Sequence, residues 1–205
     1  MNKFLVQGSR SLNGGIQIGG AKNSALKLMA ASLLAEGLTS LSNVPDIADV
    51  AIMVELLEAM GVEVQRTGHR IDISVPHEIE PVAPYHLVER MRASISVLGP
   101  LLARIGRATV AMPGGDDFGS RPIDMHLQGL EQLGATFTHQ HGDIQAQAEV
   151  LKGAEVFLEF PSVGATENLL MAAVLARGTT TIAVSYTHLR AHETRGNLVC
   201  RLLLE

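Results

Sequence analysis

Val54-Glu55-Leu56-Leu57-Glu58-Ala59-Met60-Gly61-Val62-Glu63-Val64 recurs 73 positions later as Leu127-Gln128-Gly129-Leu130-Glu131-Gln132-Leu133-Gly134-Ala135-Thr136-Phe137. Each copy has the apolar spacing of an amphipathic helix, a glycine where the helix must stop, and β-prone residues after it. In the first copy Ile47, Val50, Ala51, Val54 and Leu57 fall on one predicted helical face. A short alternating run follows each copy, Arg70-Ile71-Asp72-Ile73-Ser74 and Asp143-Ile144-Gln145-Ala146-Gln147. With the strand before it, each run predicts a hairpin, turning at Thr67-Gly68 or His141-Gly142.

A second element occurs three times. Leu33-Leu34-Ala35-Glu36-Gly37-Leu38-Thr39-Ser40, Leu102-Ala103-Arg104-Ile105-Gly106-Arg107-Ala108-Thr109 and Leu175-Ala176-Arg177-Gly178-Thr179-Thr180 each read as a helix end, a glycine cap and a strand. The three glycines are 69 and 72 positions apart. The repeating unit is therefore helix, strand, helix, strand, strand, on the order of 70 residues long. Two copies are complete, and the third starts near Gly164 and stops after Ile182. This predicts an α/β domain of three such units with the last cut short. The stretch Pro84 to Ile105 is long for one helix, and Pro100 inside it predicts a bend or break near Gly99-Pro100.

The chain has 205 residues, 46% hydrophobic and 18% charged, enough to bury a core without staples. Aromatics are 3% and Trp is absent, so that core must be aliphatic. A net charge of −5, with no block of Lys or Arg, argues against nucleic acid or an anionic membrane as the main partner. A few placed cations can still hold a small anion. Cys200 is the single cysteine, so no internal disulfide forms, and a reducing cytoplasm fits. Met1 to Gln7 lacks the pattern of a signal peptide, and Ala25 to Ala35, interrupted by Lys27 and Ser32, is too short to span a bilayer.

From Ser185 the repeat pattern collapses. Ser185-Tyr186-Thr187-His188-Leu189-Arg190-Ala191-His192-Glu193-Thr194 resembles one reading frame of a transposase adapter, and Leu198 to Glu205 resembles its flanking primer region. Residues 185–205 are accordingly expected to be foreign to the domain. His188, His192 and Cys200 have zinc-like spacing, but they fall in this tail and carry no metal site.

Four segments carry candidate chemistry. Gly19-Gly20-Ala21-Lys22-Asn23-Ser24 leads into a helix, where glycines admit a ligand and the helix start favours anions. The helix dipole does not by itself favour a lysine there, and local conflicts of that kind often mark function; the plainer reading is a strand-to-helix turn with a surface Lys22. Glu89-Arg90-Met91-Arg92-Ala93-Ser94 offers a guanidinium for phosphate or carboxylate; the plainer reading is an Arg92 paired with Glu89. Pro113-Gly114-Gly115-Asp116-Asp117-Phe118-Gly119-Ser120-Arg121-Pro122-Ile123-Asp124 has the make-up of a mobile active-site loop, with an aspartic acid as proton donor and Arg121 as anion holder. Its counterpart in the first unit is only Val44-Pro45-Asp46. Phe160-Pro161-Ser162-Val163-Gly164-Ala165-Thr166-Glu167 opens the third unit where Gly19 to Asn23 opens the first. Its amides and Ser162 can bind phosphate, although a serine there can equally be a plain helix cap. His139 and His141 read as solvated hairpin residues, and His126 as an ordering residue for the loop before it.

Gly-Gly-Ala-Lys-Asn at 19–23, Met-Arg-Ala-Ser-Ile at 91–95, Pro-Gly-Gly-Asp-x-x-Gly-x-Arg-Pro at 113–122 and Ser-Val-Gly-Ala-Thr at 162–166 together resemble the UDP-N-acetylglucosamine 1-carboxyvinyltransferases in order and spacing. The resemblance covers residues 1 to about 183. It implies two inside-out α/β barrel domains, each of three βαβαββ units, with the site in the cleft between them. Residues 1–21 would be strands of the second domain, and 22–184 an incomplete first domain. It implies transfer of the enolpyruvyl group of phosphoenolpyruvate to the 3-hydroxyl of UDP-N-acetylglucosamine with release of phosphate, the first committed step of peptidoglycan synthesis. No cofactor and no metal are implied.

Carried over by position, Lys22, Arg92 and Arg121 would neutralise the phosphate and carboxylate of phosphoenolpyruvate, and Asn23 would orient the sugar. Arg121, Pro122, Ile123, Asp124 and Met125, with Ser162, Val163 and Gly164, would cradle the uridine diphosphate. Asp116 stands where many members carry the cysteine that fosfomycin alkylates, and would be the proton donor there. Phe160 stands where some members carry lysine. The family's catalytic base and further arginines lie in the second domain, so the resemblance implies no turnover by this chain alone. The sister enzymes acting on shikimate 3-phosphate are the nearest alternative, but they typically begin the first helix with Asp-Lys-Ser rather than Ala21-Lys22-Asn23. A non-catalytic UDP-sugar-binding half-protein and a purely structural repeat domain are alternatives of other classes.

Overall fold

The computed structural model of the chain describes residues 13–112, 123–140 and 142–184, with Leu5 and Gly8. Helix α1 (Lys22–Ala31) continues as a 3-10 turn at Ser32–Leu34 and ends before Gly37, whose φ of 108° is costly for any side-chain-bearing residue. Strand β1 (Gly37–Leu41), helix α2 (Ala48–Ala59) and strands β2 (Glu63–Thr67) and β3 (Arg70–Val75) complete the first unit.

The second unit repeats the order. It runs β4 (Val82–Ala83), α3 (Tyr85–Val88), a 3-10 segment at Arg92–Val97, α4 (Leu98–Ile105), β5 (Arg107–Ala111), α5 (Asp124–Gln132), β6 (Thr136–Gln140) and β7 (Asp143–Gln147). The third contributes β8 (Glu155–Phe157), α6 (Val163–Ala173) and β9 (Thr181–Ala183). Gly37, Gly106 and Gly178 all have positive φ, as do Gly61 and Gly134, so the helix stops expected at these five glycines are present.

The repetition extends to register. The first sheet has the order β1-β3-β2 and the second β4-β5-β7-β6. Leu38 faces Ser74 in the first, and the equivalent Arg107 faces the equivalent Gln147 in the second. The parallel pair β4–β5 recurs as the parallel pair β8–β9. Among the described residues before Lys22 none lies in a strand, and Ile16 and Ile18 are exposed.

Three local expectations need correction. The break in the Pro84–Ile105 stretch lies at Glu89–Met91, not at Gly99-Pro100. Pro100 is the third residue of α4, where a missing N–H costs little because first-turn donors have no partner inside the helix. The buried face of α2 is Val50, Ile52, Met53, Leu56 and Leu57; Ala51 is exposed and Ile47 only half-buried. The helix is covered on two sides, by α1 and by β2, α3 and β4, which widens its apolar arc beyond one stripe. The first hairpin turns at Gly68-His69, because Thr67 and Arg70 are still paired.

Helix α1 packs on the 3-10 segment, and α6 packs on that segment, on α4 and on α5. The core is aliphatic as composition required, with Leu26, Met29, Leu33, Leu98, Leu101 and Leu102 essentially inaccessible.

Two capping glycines at the same place in their units should respond differently to alanine. At Gly37 a new Cβ meets open space, whereas at Gly106 (φ 77°) it would stand 2.7 Å from the Ala148 carbonyl oxygen. Gly37→Ala is expected to lower unfolding free energy by about 1 kcal/mol and Gly106→Ala by roughly 2 kcal/mol or more. Urea denaturation of the two variants checks this, and equal losses would contradict the backbone clash.

Candidate active site

Lys27, Ser96 and Asn168 stand ten residues before Gly37, Gly106 and Gly178, so they occupy one place in three units. In the fold they meet. Lys27 Nζ donates to Ser96 Oγ (2.6 Å) and lies 3.7 Å from Glu167 Oε2. Asn168 is fully buried; its Oδ1 accepts the Gly99 N–H (2.8 Å), and its Nδ2 donates to the Ile95 carbonyl (3.3 Å) and reaches His126 Nδ1 at 3.1 Å. Beside them the buried Ser94 donates to the Met91 carbonyl (2.6 Å). Polar groups inside an aliphatic core are tolerated only when paired, so this cluster sets how the three units abut.

One helical turn earlier, again at one place in each unit, stand Asn23, Arg92 and Gly164. The helix starts carrying the candidate residues thus lie on the same side of the cluster. Helix α1 opens with Lys22 and Asn23; Ala21 before them has no side chain that can cap, and no acid lies in the first turn. Its first N–H groups are left without an intrahelical acceptor, the condition that favours an anion. Lys22 is half exposed and pairs with Asp49 (2.5 Å) in the first turn of α2, which answers the local conflict of a lysine at a helix start. Gly20 is required by close approach, since a Cβ there would collide with the Asn43 carbonyl.

Arg92 opens the 3-10 segment and is half-buried, while its neighbour Arg90 makes the surface pair with Glu55 (3.0 Å). Ile123, buried, precedes α5; Asp124 begins it exposed, where a carboxylate favours the helix dipole; Met125 is buried. Ser162 caps α6, its Oγ accepting the Ala165 N–H at 3.3 Å, so the cap reading holds and the hydroxyl proton stays able to donate. Val163 and Gly164 follow half-buried, and Phe160 is exposed. Asp116, Arg121 and Pro122, and the tail with His188, His192 and Cys200, lie outside the described residues. Among the described residues no group of His, Cys, Asp and Glu is arranged to hold a metal, and no helix is long and apolar enough to cross a membrane.

The polar cluster was missed as a site feature by sequence reasoning. Its signal was present: the spacings 69 and 72 that align the glycines also align Lys27, Ser96 and Asn168. His126, expected only to order its loop, is 6% exposed. Its pKa is pushed down to about 4 by burial, and further by the nearby Lys27 and Arg92 cations.

Residues 6–194 match the model of the family described as EPSP synthase (3-phosphoshikimate 1-carboxyvinyltransferase). The chain is 56% identical over 181 residues to a UDP-N-acetylglucosamine 1-carboxyvinyltransferase of Corynebacterium efficiens, covering 88% of this chain and 43% of that protein. It is likewise 56% identical over 180 residues to the protein of that name from Mycolicibacterium paratuberculosis, again covering 43% of it. The chain therefore spans less than half the length of these curated relatives. Among solved structures, the enolpyruvyl transferase NikO from Streptomyces tendae superposes with a TM-score of 0.71 at 23% identity, covering 83% of this chain and 40% of that one. An EPSP synthase from Acinetobacter baumannii superposes at 0.64 and 20% identity, over 82% and 40% of the two chains. At these identities the two structures bear on the fold alone.

The lowered His126 pKa has a signed consequence. Its neutral form is favoured in the fold, so stability is complete above the ordinary histidine value of 6.5 and falls as pH drops toward about 4. Between pH 6.5 and 4 the chain should lose on the order of 3 kcal/mol more than a His126→Gln variant, in which other titrating groups still act. Urea denaturation across that range checks it, and parallel pH profiles would refute it.

Proposed function

The chain belongs to the EPSP synthase (3-phosphoshikimate 1-carboxyvinyltransferase) family, and we propose that it is the greater part of the first domain of an enzyme that transfers the enolpyruvyl group of phosphoenolpyruvate to the 3-hydroxyl of UDP-N-acetylglucosamine, in cytoplasmic peptidoglycan synthesis. One observation carries the substrate assignment: identity above one half, over most of the chain, to proteins named for that sugar nucleotide. The start Ala21-Lys22-Asn23 favours it over the shikimate 3-phosphate reaction. We read the three side-by-side helices, with sheets outside them, as an inside-out barrel with its third unit incomplete. Residues 1–21 then belong with a second domain and 185–205 to a foreign tail.

In this reading Lys22, Arg92 and Arg121 hold the phosphate and carboxylate of phosphoenolpyruvate, and Asn23 orients the sugar. Fixed cations serve this reaction because charge moves while a multiply charged substrate stays bound. The backbone donors at Ser162, Val163 and Gly164, with Arg121, Pro122, Ile123, Asp124 and Met125, take the uridine diphosphate. Asp116 delivers a proton to the substrate methylene, the 3-hydroxyl adds to the adjacent carbon, and phosphate leaves as that methylene proton is lost again. An aspartic acid can do this if closure of the loop raises its pKa. The base that takes the 3-hydroxyl proton lies in the second domain, so this chain by itself turns nothing over.

A chimera tests the reading. Residues 1–183 joined to the part of the Corynebacterium efficiens relative beyond its matched region should release phosphate from phosphoenolpyruvate only when UDP-N-acetylglucosamine is present. Lys22→Ala should lower kcat/KM by roughly 10²-fold or more. The chimera should also resist fosfomycin, since Asp116 offers no thiol. Phosphate release driven by shikimate 3-phosphate instead, or release by the 205-residue chain alone, would overturn the assignment.

A further inference from the structure

The amide of Asn168 can be oriented from its partners without ambiguity. Gly99 presents a backbone N–H at 2.8 Å, and a backbone N–H only donates, so the atom it meets is the carbonyl oxygen Oδ1. The amide nitrogen is then the atom that meets the Ile95 carbonyl at 3.3 Å and His126 Nδ1 at 3.1 Å. That nitrogen carries hydrogens and has nothing with which to accept. His126 Nδ1 must therefore present a lone pair, and the proton of the neutral ring must sit on Nε2.

The other edge of the same ring has a defined neighbour. An ideal Cβ built on Gly164 would stand 3.3 Å from both Cε1 and Nε2 of His126. The ring thus occupies the space a side chain would need at the second residue of α6, and its Nε2 edge lies against that helix's first turn. A doubly protonated ring would turn Nδ1–H against the Asn168 amide hydrogens. The charged groups acting on it are Lys27 from α1 and Arg92 from the 3-10 segment, and Glu167 from α6 lies 3.7 Å from that lysine.

We infer that Asn168 is a positioning residue: from the junction of the three units it holds His126 as the Nε2–H tautomer and sets that N–H against the first turn of α6. The consequence for binding rests on the reading of Ser162–Gly164 as the diphosphate site. There the ring adds a neutral donor of fixed orientation beside the helix-start amides. Asn168 touches no substrate and acts only through His126.

The test is long-range proton–nitrogen NMR on the full chain with ¹⁵N-labelled histidine, without ligand, at neutral pH. In wild type the His126 lone-pair nitrogen should be Nδ1. Asn168→Asp puts an acceptor opposite Nδ1 and should move the proton onto it. Asn168→Ala, which removes the donor with less disturbance of charge, should give a mixture of tautomers. A wild-type ring protonated on Nδ1 overturns the inference whatever the variants do, and so does a ring that stays wholly Nε2–H in a folded variant. UDP-N-acetylglucosamine added to wild type should then shift the His126 signals, and Asn168→Asp should bind it roughly tenfold more weakly. Correct tautomers with no ligand-induced shift would overturn the diphosphate reading of Ser162–Gly164 while leaving the role of Asn168 intact.

Discussion

The constraint on which the arrangement depends is the satisfaction of a few polar side chains where three aliphatic units meet. Lys27, Ser96 and Asn168 are out of place by composition in that interior, and each is tolerated because it finds a partner on another unit. An apolar interface can slide by a residue at modest cost. A buried amide with three partners cannot, because a shift strands several donors and acceptors at once, each worth about 1–3 kcal/mol. Hydrophobic burial supplies the bulk of the stability, and the polar junction supplies the register.

That register has a geometric effect. If equivalent residues meet at the junction, the residues one turn before them lie together on one side, and these are Asn23, Arg92 and Gly164. The helix starts carrying Lys22 and Ser162 come with them. For Lys22, Arg92 and the amide donors at Ser162–Gly164 the proposed site needs no long loop, Arg121 being the exception. It uses the ends of elements whose spacing the core has already set. Asp49 and Glu167 keep two of the cations paired, so positive charge is held ready without unbalanced repulsion.

Much of the fold was legible because its signals are local. Gly37, Gly106, Gly178, Gly61 and Gly134 end helices through their own backbone freedom, and the alternation at Ile71-Ile73 and Ile144-Ala146 marks strands buried on one face. What was misread depends on surroundings. Pro100 looked like a breaker, but it falls in a first turn where its missing N–H is harmless. The face of α2 was drawn one stripe wide because periodicity does not reveal a second covering layer. Of the proposed site residues, Lys22, Asn23 and Ser162 were legible as helix starts near glycine or serine, whereas Arg92 read as lying inside one long helix because the break at Glu89–Met91 has no local signal. Lys27 was seen only as an interruption of an apolar run, since its partners Ser96 and Glu167 are remote in sequence. His126 gave no local hint, because its environment is made by Asn168, Gly164, Lys27 and Arg92.

The same repeat equivalence shows how the third unit is held. Leu170 occupies the place of Met29 and Leu98, and Val174 that of Leu33 and Leu102; those four are essentially inaccessible, yet Leu170 is 42% and Val174 66% exposed. In the first two units a helix and a hairpin follow β1 and β5, and among the described residues none follows β9. The outward side of α6 therefore contributes little burial. What fastens the helix is its inward side: Ala165, Asn168, Leu169 and Ala172 are buried, and Leu169 lies so close to α5 that a Cβ on Gly129 would meet it at 2.7 Å. Asn168 lies in the middle of that side, bonded to three groups of the second unit. The junction that sets the register is thus also what keeps the third unit, and with it Ser162 to Gly164, in place beside the other two.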